Sequence, residues 1–206
     1  MKILVFSDIH SDLRALERLL EIEADYYFAA GDMVNWARGL DAAGQVLAKR
    51  AGHMYVIPGN HESENDVENL CSRYSLHNFH GKSLWVDGFH IGGLGYSNPT
   101  PFDTPGEYSE SEMAARLAEF NGKAPLIMIC HCPPKNTLLD RAGKDRHFGS
   151  SSVLEFIQRE KPVYFFCGHI HEAEGVSDII GETPGVNVGK RGFLLDFDKI
   201  RQESPQ

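Results

Sequence analysis

The chain has 206 residues and a formal net charge of −9 at pH 7. This length suits one well-buried domain, and the acidic balance weighs against a protein that follows a nucleic-acid backbone, which needs a basic face. No apolar run is long enough to span a bilayer, and the apolar stretch 1–6 is too short for a signal peptide. We therefore expect a cytoplasmic protein with neither a membrane nor a nucleic-acid polymer as partner. The sequence does not indicate an oligomeric state.

The first half of the chain alternates short apolar runs with amphipathic segments. It predicts strands at 2–6, 26–30 and 54–57 and helices at 12–23, 40–51 and 65–74. Two further runs, 83–86 and 89–92, are typical of a hairpin that turns at Asp87-Gly88.

Residues 96–108 interrupt this alternation. Three prolines within the segment exclude a helix or a central strand. Long irregular loops in compact domains are often functional, and Tyr96, Phe102 and Tyr108 fit a lid that faces a substrate. A packed surface loop explains the same residues equally well.

The second half resumes the alternation. Ser109 and Glu112 have the spacing of a capping box, which predicts a helix at 109–120. A second loop is expected at 132–149. The remaining elements are a helix at 150–160 and strands at 126–130, 163–167, 185–188 and 192–197. The pattern predicts a single α/β domain at 1–198 with helices covering the sheet core, followed by a polar, frayed tail at 199–206.

Five short motifs place potential metal ligands at the carboxyl ends of predicted strands, where α/β proteins hold their ligands. In order they are Ser7-Asp8-Ile9-His10, Gly31-Asp32, Gly59-Asn60-His61-Glu62, Cys130-His131 and Gly168-His169-Ile170-His171. Together they supply enough oxygen and nitrogen donors for two adjacent cations. Paired metal ions most often indicate hydrolysis of a phosphate ester.

The four cysteines do not extend this set. Cys130 and Cys132 flank His131, but side chains alternate along a strand, so His131 should face away from both. With no CxxC pair present, we expect Cys71, Cys130, Cys132 and Cys167 to be buried free thiols.

In order and spacing, the five motifs resemble the D-x-H, G-D, G-N-H-[DE], H and G-H-x-H pattern of the calcineurin-like metallophosphoesterase superfamily. The resemblance implies a four-layer α/β/β/α sandwich with mixed sheets. It also implies two divalent metal ions, with Mn, Fe or Zn as candidates. One ion would be held by Asp8, His10, Asp32 and His171, and the other by Asp32, Asn60, His131 and His169.

The same resemblance implies a mechanism for a small phosphorylated substrate. Asp32 would bridge the ions, and a shared hydroxide would attack phosphorus in line with the leaving group. His61 would lie beside the ions and protonate the leaving oxygen, without being a ligand.

Departures from the family pattern narrow the substrate. The protein phosphatases of this superfamily carry an arginine where this chain has Pro58, and an aspartate and an arginine where it has Asn35 and Trp36. Asn35 could still accept a hydrogen bond from His61. Proline, asparagine and tryptophan cannot bind phosphate bidentately as arginine does. The sequence therefore favours a phosphodiesterase or small-molecule phosphatase over a protein phosphatase.

Several alternatives stay open. The leading hypothesis is hydrolysis of a nucleotide-like phosphodiester, and a phosphomonoesterase or protein phosphatase is the alternative. A non-enzymatic protein-binding scaffold with the same fold is a further possibility, although the complete ligand set disfavours it. A nuclease lacks support from the charge.

The basic loop that follows His131 also has two interpretations. His147 could contact the substrate phosphate or be solvated, and the cations Arg141, Lys144 and Arg146 are typical of a solvated cluster. The stretch 186–189 resembles an N-P-G-S turn of small phosphodiesterases but lacks its Pro and Ser.

Overall fold

A computed structural model describes residues 1–203 of the chain. Helices and strands alternate as the sequence predicts. The helices are α1 Leu13–Leu20, α2 Leu40–Leu47, α3 Glu64–Tyr74, α4 Glu110–Leu117, α5 Ser151–Glu160 and α6 Phe197–Glu203. The strands are β1 Lys2–Phe6, β2 Tyr26–Ala30, β3 Met54–Ile57, β4 His77–Asn78, β5 Lys82–Val86, β6 Phe89–Leu94, β7 Leu126–Cys130, β8 Arg141–Ala142, β9 Arg146–His147, β10 Tyr164–Cys167, β11 Ser177–Ile180, β12 Thr183–Asn187 and β13 Phe193–Asp196.

Within residues 1–203 these strands form two mixed sheets and one small hairpin. The first sheet has the order β13-β1-β2-β3-β4, and the second has the order β11-β12-β10-β7-β6-β5. Inner strands pair in parallel, while β13, β11 and β5 pair antiparallel at the sheet edges. Strands β8 and β9 make the separate hairpin.

Alternation along each strand explains why the two sheets stack. On β1, Ile3 and Val5 face the core between the sheets, whereas Leu4 and Phe6 pack under helices α1 to α3. On β7, Ile127 and Ile129 face the same central core, and the opposite face packs against α4 and α5. The layers are therefore helices, sheet, sheet and helices, which confirms the predicted four-layer α/β/β/α sandwich.

Local signals in the sequence fix several element ends. Ser109 and Glu112 make the predicted capping box at α4, and Ser63 and Asp66 make a second one at α3. The β5–β6 hairpin turns at Asp87-Gly88, where both residues have positive φ (50° and 85°), as a type I′ turn requires.

Other boundaries differ from the prediction. Helix α2 ends at Leu47, and residues Ala48–His53 continue as 3₁₀ turns with a kink at Arg50, so the predicted helix 40–51 is too long. The loop 132–149 contains a 3₁₀ turn at Leu138–Asp140 and the hairpin β8–β9. Strands β4 and β11 were not predicted, because they are short, partly exposed edge strands without an apolar run.

The carboxyl terminus also differs. The prediction of a frayed tail from residue 199 is wrong as far as Glu203, because α6 continues through it. Phe197 and Ile200 lie one helical turn apart and are buried at the end of the core between the sheets. Arg201 fastens the helix by donating to the carbonyl oxygen of Asp87 at 2.7 Å. Residues 204–206 lie outside the described part of the chain.

The fold brings the five motifs to one edge of the sandwich. Each motif begins at the carboxyl end of β1, β2, β3, β7 or β10, and these strands run parallel within their sheets. Across residues 1–203, none of the helices has both the length and the apolar character that crossing a bilayer requires.

Candidate metal centre

The structure brings together all seven predicted metal ligands and His61. Apart from Asn60, they form three overlapping groups, and within each group the donor atoms lie within 4.8 Å of one another. The first is Asp8, His10 and His171, the second His10, Asp32 and His61, and the third Asp32, His131 and His169.

The first group forms at the ends of β1 and β10. Nε2 of His10 lies 2.8 Å from Nε2 of His171, and Oδ1 of Asp8 lies 3.6 Å from the same His171 nitrogen. Asp8 is held in place by the backbone N–H of His169, which donates to both carboxylate oxygens at 3.0 Å. One carboxylate and two imidazoles thus face a common point.

Another cluster forms between β3, β7 and β10. Oδ1 of Asn60 lies 3.2 Å from Nε2 of His131 and 2.9 Å from Nδ1 of His169. The Asn60 amide is oriented from behind, because its Nδ2 donates to the hydroxyl of Thr104 at 3.1 Å. Its oxygen is therefore directed at the two imidazoles.

Asp32 lies between these two sets of ligands. Its Oδ2 is 3.7 Å from Nε2 of His10 and 3.5 Å from Nε2 of His131, while Oδ1 accepts from the backbone N–H of His61 at 2.9 Å. One carboxylate oxygen therefore faces both sets, which is the position that a bridging ligand needs.

Hydrogen bonds on the far side of the rings set the histidine tautomers. Nδ1 of His131 donates to the carbonyl oxygen of Ala30 at 2.8 Å, and Nδ1 of His10 donates to Oδ1 of Asn35 at 2.7 Å. In the neutral form of each ring, Nε2 is then the nitrogen with the free lone pair. Asn35 thus orients His10, and the expectation that it could accept a hydrogen bond from His61 is wrong.

His61 lies against both sets of ligands. Its Nδ1 accepts from the backbone N–H of Trp36 at 3.3 Å, which leaves Nε2 as the proton-bearing nitrogen of the neutral ring. The ring also lies edge-on to His10, at 5.3 Å between centroids. Because His61 shares a donor group with His10 and Asp32, its predicted role as a proton donor outside the ligand set stays a prediction.

Unusual backbone conformations aim these side chains. Asp8, His10, Asp32 and His169 all have positive φ, between 46° and 69°, which non-glycine residues rarely adopt. Such conformations concentrate at functional sites, where the surrounding structure enforces them. Gly31 has φ 95°, and a Cβ there would lie 2.7 Å from Nδ1 of His131.

Glu62 is a supporting residue that the motif analysis did not assign. It is buried and accepts from the backbone N–H groups of Asp32, Val34 and Gly59 at 3.0, 3.1 and 3.0 Å. Burial and the charge of Asp32 raise the pKa of Glu62 to about 8. The sequence signal was available, since Glu62 completes the motif that contains Asn60.

Asn187 supports the opposite side of the site. This buried amide donates through Nδ2 to the carbonyl oxygens of Leu139, Gly168 and Ile170, at 3.2, 3.1 and 3.0 Å. It therefore ties the loop that carries His169 to the rest of the second sheet. Its resemblance to an N-P-G-S turn was a weak signal for this role.

The electrostatics of the site favour cation binding. Burial opposes ionisation of Asp32, but the charge and hydrogen bond of His131 hold the pKa of Asp32 well below its ordinary value. Against burial, the charge of Asp32 raises the pKa of His131 to about 9. Burial and the charge of His131 lower the pKa of His169 to about 4, so this imidazole is a neutral donor at pH 7.

The donor set fits two divalent cations. Each set combines carboxylate oxygen with imidazole nitrogen, and one also holds an amide oxygen, which suits Mn²⁺, Fe or Zn²⁺. Ionised carboxylates and a neutral imidazole are the protonation states that ligation requires.

Two clefts open at the centre, and His61 and His171 line both. The first, of about 440 Å³, extends to Lys190. The second, of about 450 Å³, extends along 98–102 to the side chains of Arg146 and Phe148.

The second cleft shows where the side chains of the two predicted loops lie. Phe102 lines it, as the lid interpretation expects. Tyr96 and Tyr108 do not, because they pack against each other at 4.7 Å between ring centroids. His147 donates through Nδ1 to the buried Asp140 at 2.6 Å, while the neighbouring Arg146 faces the cleft.

The cysteine prediction is confirmed. Cys71, Cys130, Cys132 and Cys167 are buried free thiols. Burial raises the pKa of Cys130 to about 12, so its thiol stays protonated at pH 7.

Comparison with known proteins decides the family. The model of the calcineurin-like phosphoesterase family matches residues 1–173. The chain belongs to this family. The uncharacterized protein MJ1162 of Methanocaldococcus jannaschii is 32% identical over 202 residues, which cover 95% of this chain and 91% of that protein.

Solved structures show the same fold at low identity. The protein TT1561 of Thermus thermophilus has a TM-score of 0.74 at 19% identity, over 97% of this chain and 95% of that one. A dimetal phosphatase from Danio rerio has a TM-score of 0.57 at 12% identity, over 91% and 86%. The family model over residues 1–173 confirms the family resemblance inferred from the five motifs. The protein is a metal-dependent phosphoric ester hydrolase of a family that acts on small phosphate substrates.

Proposed function

We propose that the protein is a dinuclear metal-dependent phosphodiesterase that hydrolyses a small, nucleotide-like phosphodiester. The observation that carries the proposal is the position of Asp32 Oδ2 between His10 Nε2 and His131 Nε2, at 3.7 and 3.5 Å. Asp8, His10, Asp32 and His171 are proposed to hold one cation, and Asp32, Asn60, His131 and His169 the other.

Two divalent cations bound here would supply activation of water and neutralisation of charge on the phosphoryl oxygens. The residues of the chain supply the remaining parts. His61 is proposed to protonate the leaving oxygen through Nε2, since its Nδ1 accepts from Trp36. Asn35 and Ala30 hold the ligating imidazoles in one orientation, which keeps the centre preorganised.

The two clefts support a diester rather than a monoester. A diester carries two organic groups on phosphorus, and two clefts of about 440 and 450 Å³ meet at the centre, where His61 and His171 line both. A monoester would require only one of them. The four buried free thiols support a cytoplasmic location, where thiols stay reduced.

The test is turnover of bis-p-nitrophenyl phosphate and p-nitrophenyl phosphate by the Mn²⁺-loaded protein. We expect hydrolysis of the diester, loss of turnover in Asp32→Asn, and retention in Asp87→Asn. The control Asp87→Asn makes the same chemical change in the β5–β6 hairpin turn, where the φ of 50° at Asp87 is one that asparagine tolerates.

Preference for the monoester would favour the phosphomonoesterase alternative. Folded protein that carries both metals and hydrolyses neither ester would refute the proposal and favour a protein-binding scaffold.

A further inference from the structure

One wall of the second cleft is aromatic and basic, and it consists of Phe102, Arg146 and Phe148. The cleft starts at the predicted ligands Asp32, Asn60 and His169 and continues outward past Asn98. Phe102 is 72% exposed and Phe148 is 41% exposed, and both line this cleft. Exposed ring faces beside a phosphoryl site are suited to stacking on a planar aromatic ligand.

Arg146 adds a positive charge to the same wall. Its guanidinium carbon lies 5.7 Å from the centroid of the Phe148 ring, and it makes no ion pair among residues 1–203. Lys190, which lines the first cleft, lies 3.7 Å from Asp12. On a chain of net charge −9, Arg146 is thus a cleft cation that is free to bind an anion.

The wall is fixed to the core rather than loosely attached. His147, between Arg146 and Phe148, turns inward and donates to the buried Asp140. Asp140 also accepts from the backbone N–H of Gly149 at 2.9 Å. Because side chains alternate along the strand, anchoring His147 inward directs Arg146 and Phe148 outward into the cleft.

We infer that this wall is a binding subsite for a nucleoside, which is one of the two organic groups of the phosphodiester substrate. Its base lies against Phe102 and Phe148, and the guanidinium of Arg146 binds a phosphate between the base and the metal centre. The inference deepens the proposed function and rests on it for the location of the reacting phosphate. The predicted ligand is a nucleoside diphosphate moiety, whose terminal phosphate occupies the metal centre.

The experiment measures inhibition of methyl p-nitrophenyl phosphate turnover by adenosine, AMP and ADP, using Mn²⁺-loaded protein. We expect ADP to inhibit more tightly than AMP, and AMP more tightly than adenosine. Phe148→Ala is expected to weaken inhibition by all three ligands about tenfold, because each carries the base. Arg146→Met should weaken ADP about tenfold and leave adenosine unchanged, since adenosine has no phosphate.

Two control variants make matched changes away from the cleft. Arg141→Met removes an exposed cation from the same hairpin, and Trp85→Ala removes an exposed aromatic ring from edge strand β5. Both should retain the inhibition constants and turnover of the unmodified protein. Thermal unfolding of each variant shows whether it is folded.

Unchanged inhibition by all three ligands in Phe148→Ala and Arg146→Met, with diester turnover intact, would overturn the subsite and leave the proposed function standing. If the diester is not hydrolysed, the proposed function fails instead, and calorimetric titration with ADP still tests the subsite. ADP binding that both variants weaken about tenfold would support it. Absence of binding, or binding that neither variant weakens, would overturn it.

Discussion

Replacement of Gly59 by alanine tests how closely the metal centre depends on the position of Asp32. A Cβ built at Gly59 overlaps the backbone nitrogen, the carboxyl carbon and Oδ1 of Asp32. Rotation of the Asp32 side chain cannot remove the overlap with its backbone nitrogen. The segment of Asp32 or that of Gly59 therefore has to move.

The expected magnitude follows from this overlap. Overpacking of a tight interior costs about 1–3 kcal/mol in the free energy of unfolding. In a domain of this size each kcal/mol lowers the melting temperature by about 2–4 °C, so a decrease of about 2–12 °C is expected. A shift of the shared carboxylate by about 1 Å should lower diester turnover about 100-fold.

The assay combines thermal unfolding with turnover of bis-p-nitrophenyl phosphate under Mn²⁺. Gly52→Ala is the matched control, because a Cβ at Gly52 meets no atom within 4 Å. It should leave both quantities unchanged. If Gly59→Ala melts within about 1 °C of the unmodified protein and keeps full turnover, the argument from close packing is refuted.

Three further predictions concern the residues around the ions. His61→Ala should retain both metals by elemental analysis while turnover falls about 100-fold, and loss of one metal would identify His61 as a ligand. Asn187→Ala removes three hydrogen bonds and should lower the free energy of unfolding, measured in urea, by about 1–3 kcal/mol. An unchanged free energy would show that these hydrogen bonds do not stabilise the fold. Because Asp32 raises the pKa of His131 to about 9 against burial, Mn²⁺ must displace a proton below that pH, so its affinity should increase as pH rises toward 9. Calorimetric titrations in buffers of different ionisation enthalpy measure this release, and an affinity independent of pH between about 6 and 9 would contradict it.

The sequence pattern was sufficient for the alternation of strands and helices and for the residues that meet at the centre, while the four layers were predicted from the family resemblance. Side chains alternate along β1, so Ile3 and Val5 pack on one face of the sheet and Leu4 and Phe6 on the other. The ligand positions follow from strand ends, which apolar runs mark clearly. Both depend on features that neighbouring residues determine.

The remaining details depend on contacts between distant segments. Asn35 faces His10 rather than His61 because two loops 25 residues apart pack with a geometry that no local pattern encodes. The orientation of Asn60 depends on Thr104, 44 residues away. Helix α6 is stabilised by Ile200, which is buried at the end of the central core. The polar residues around Ile200 in the sequence give no apolar pattern that predicts this helix.

The central claim is that distant acidic, amide and imidazole groups surround a pair of cations with Asp32 between them. Anomalous diffraction from crystals grown with Mn²⁺ tests it most directly. We expect two anomalous peaks about 3.5–4 Å apart, one against Asp8, His10 and His171 and one against Asn60, His131 and His169. A single peak, or two peaks that Asp32 does not join, would contradict the account.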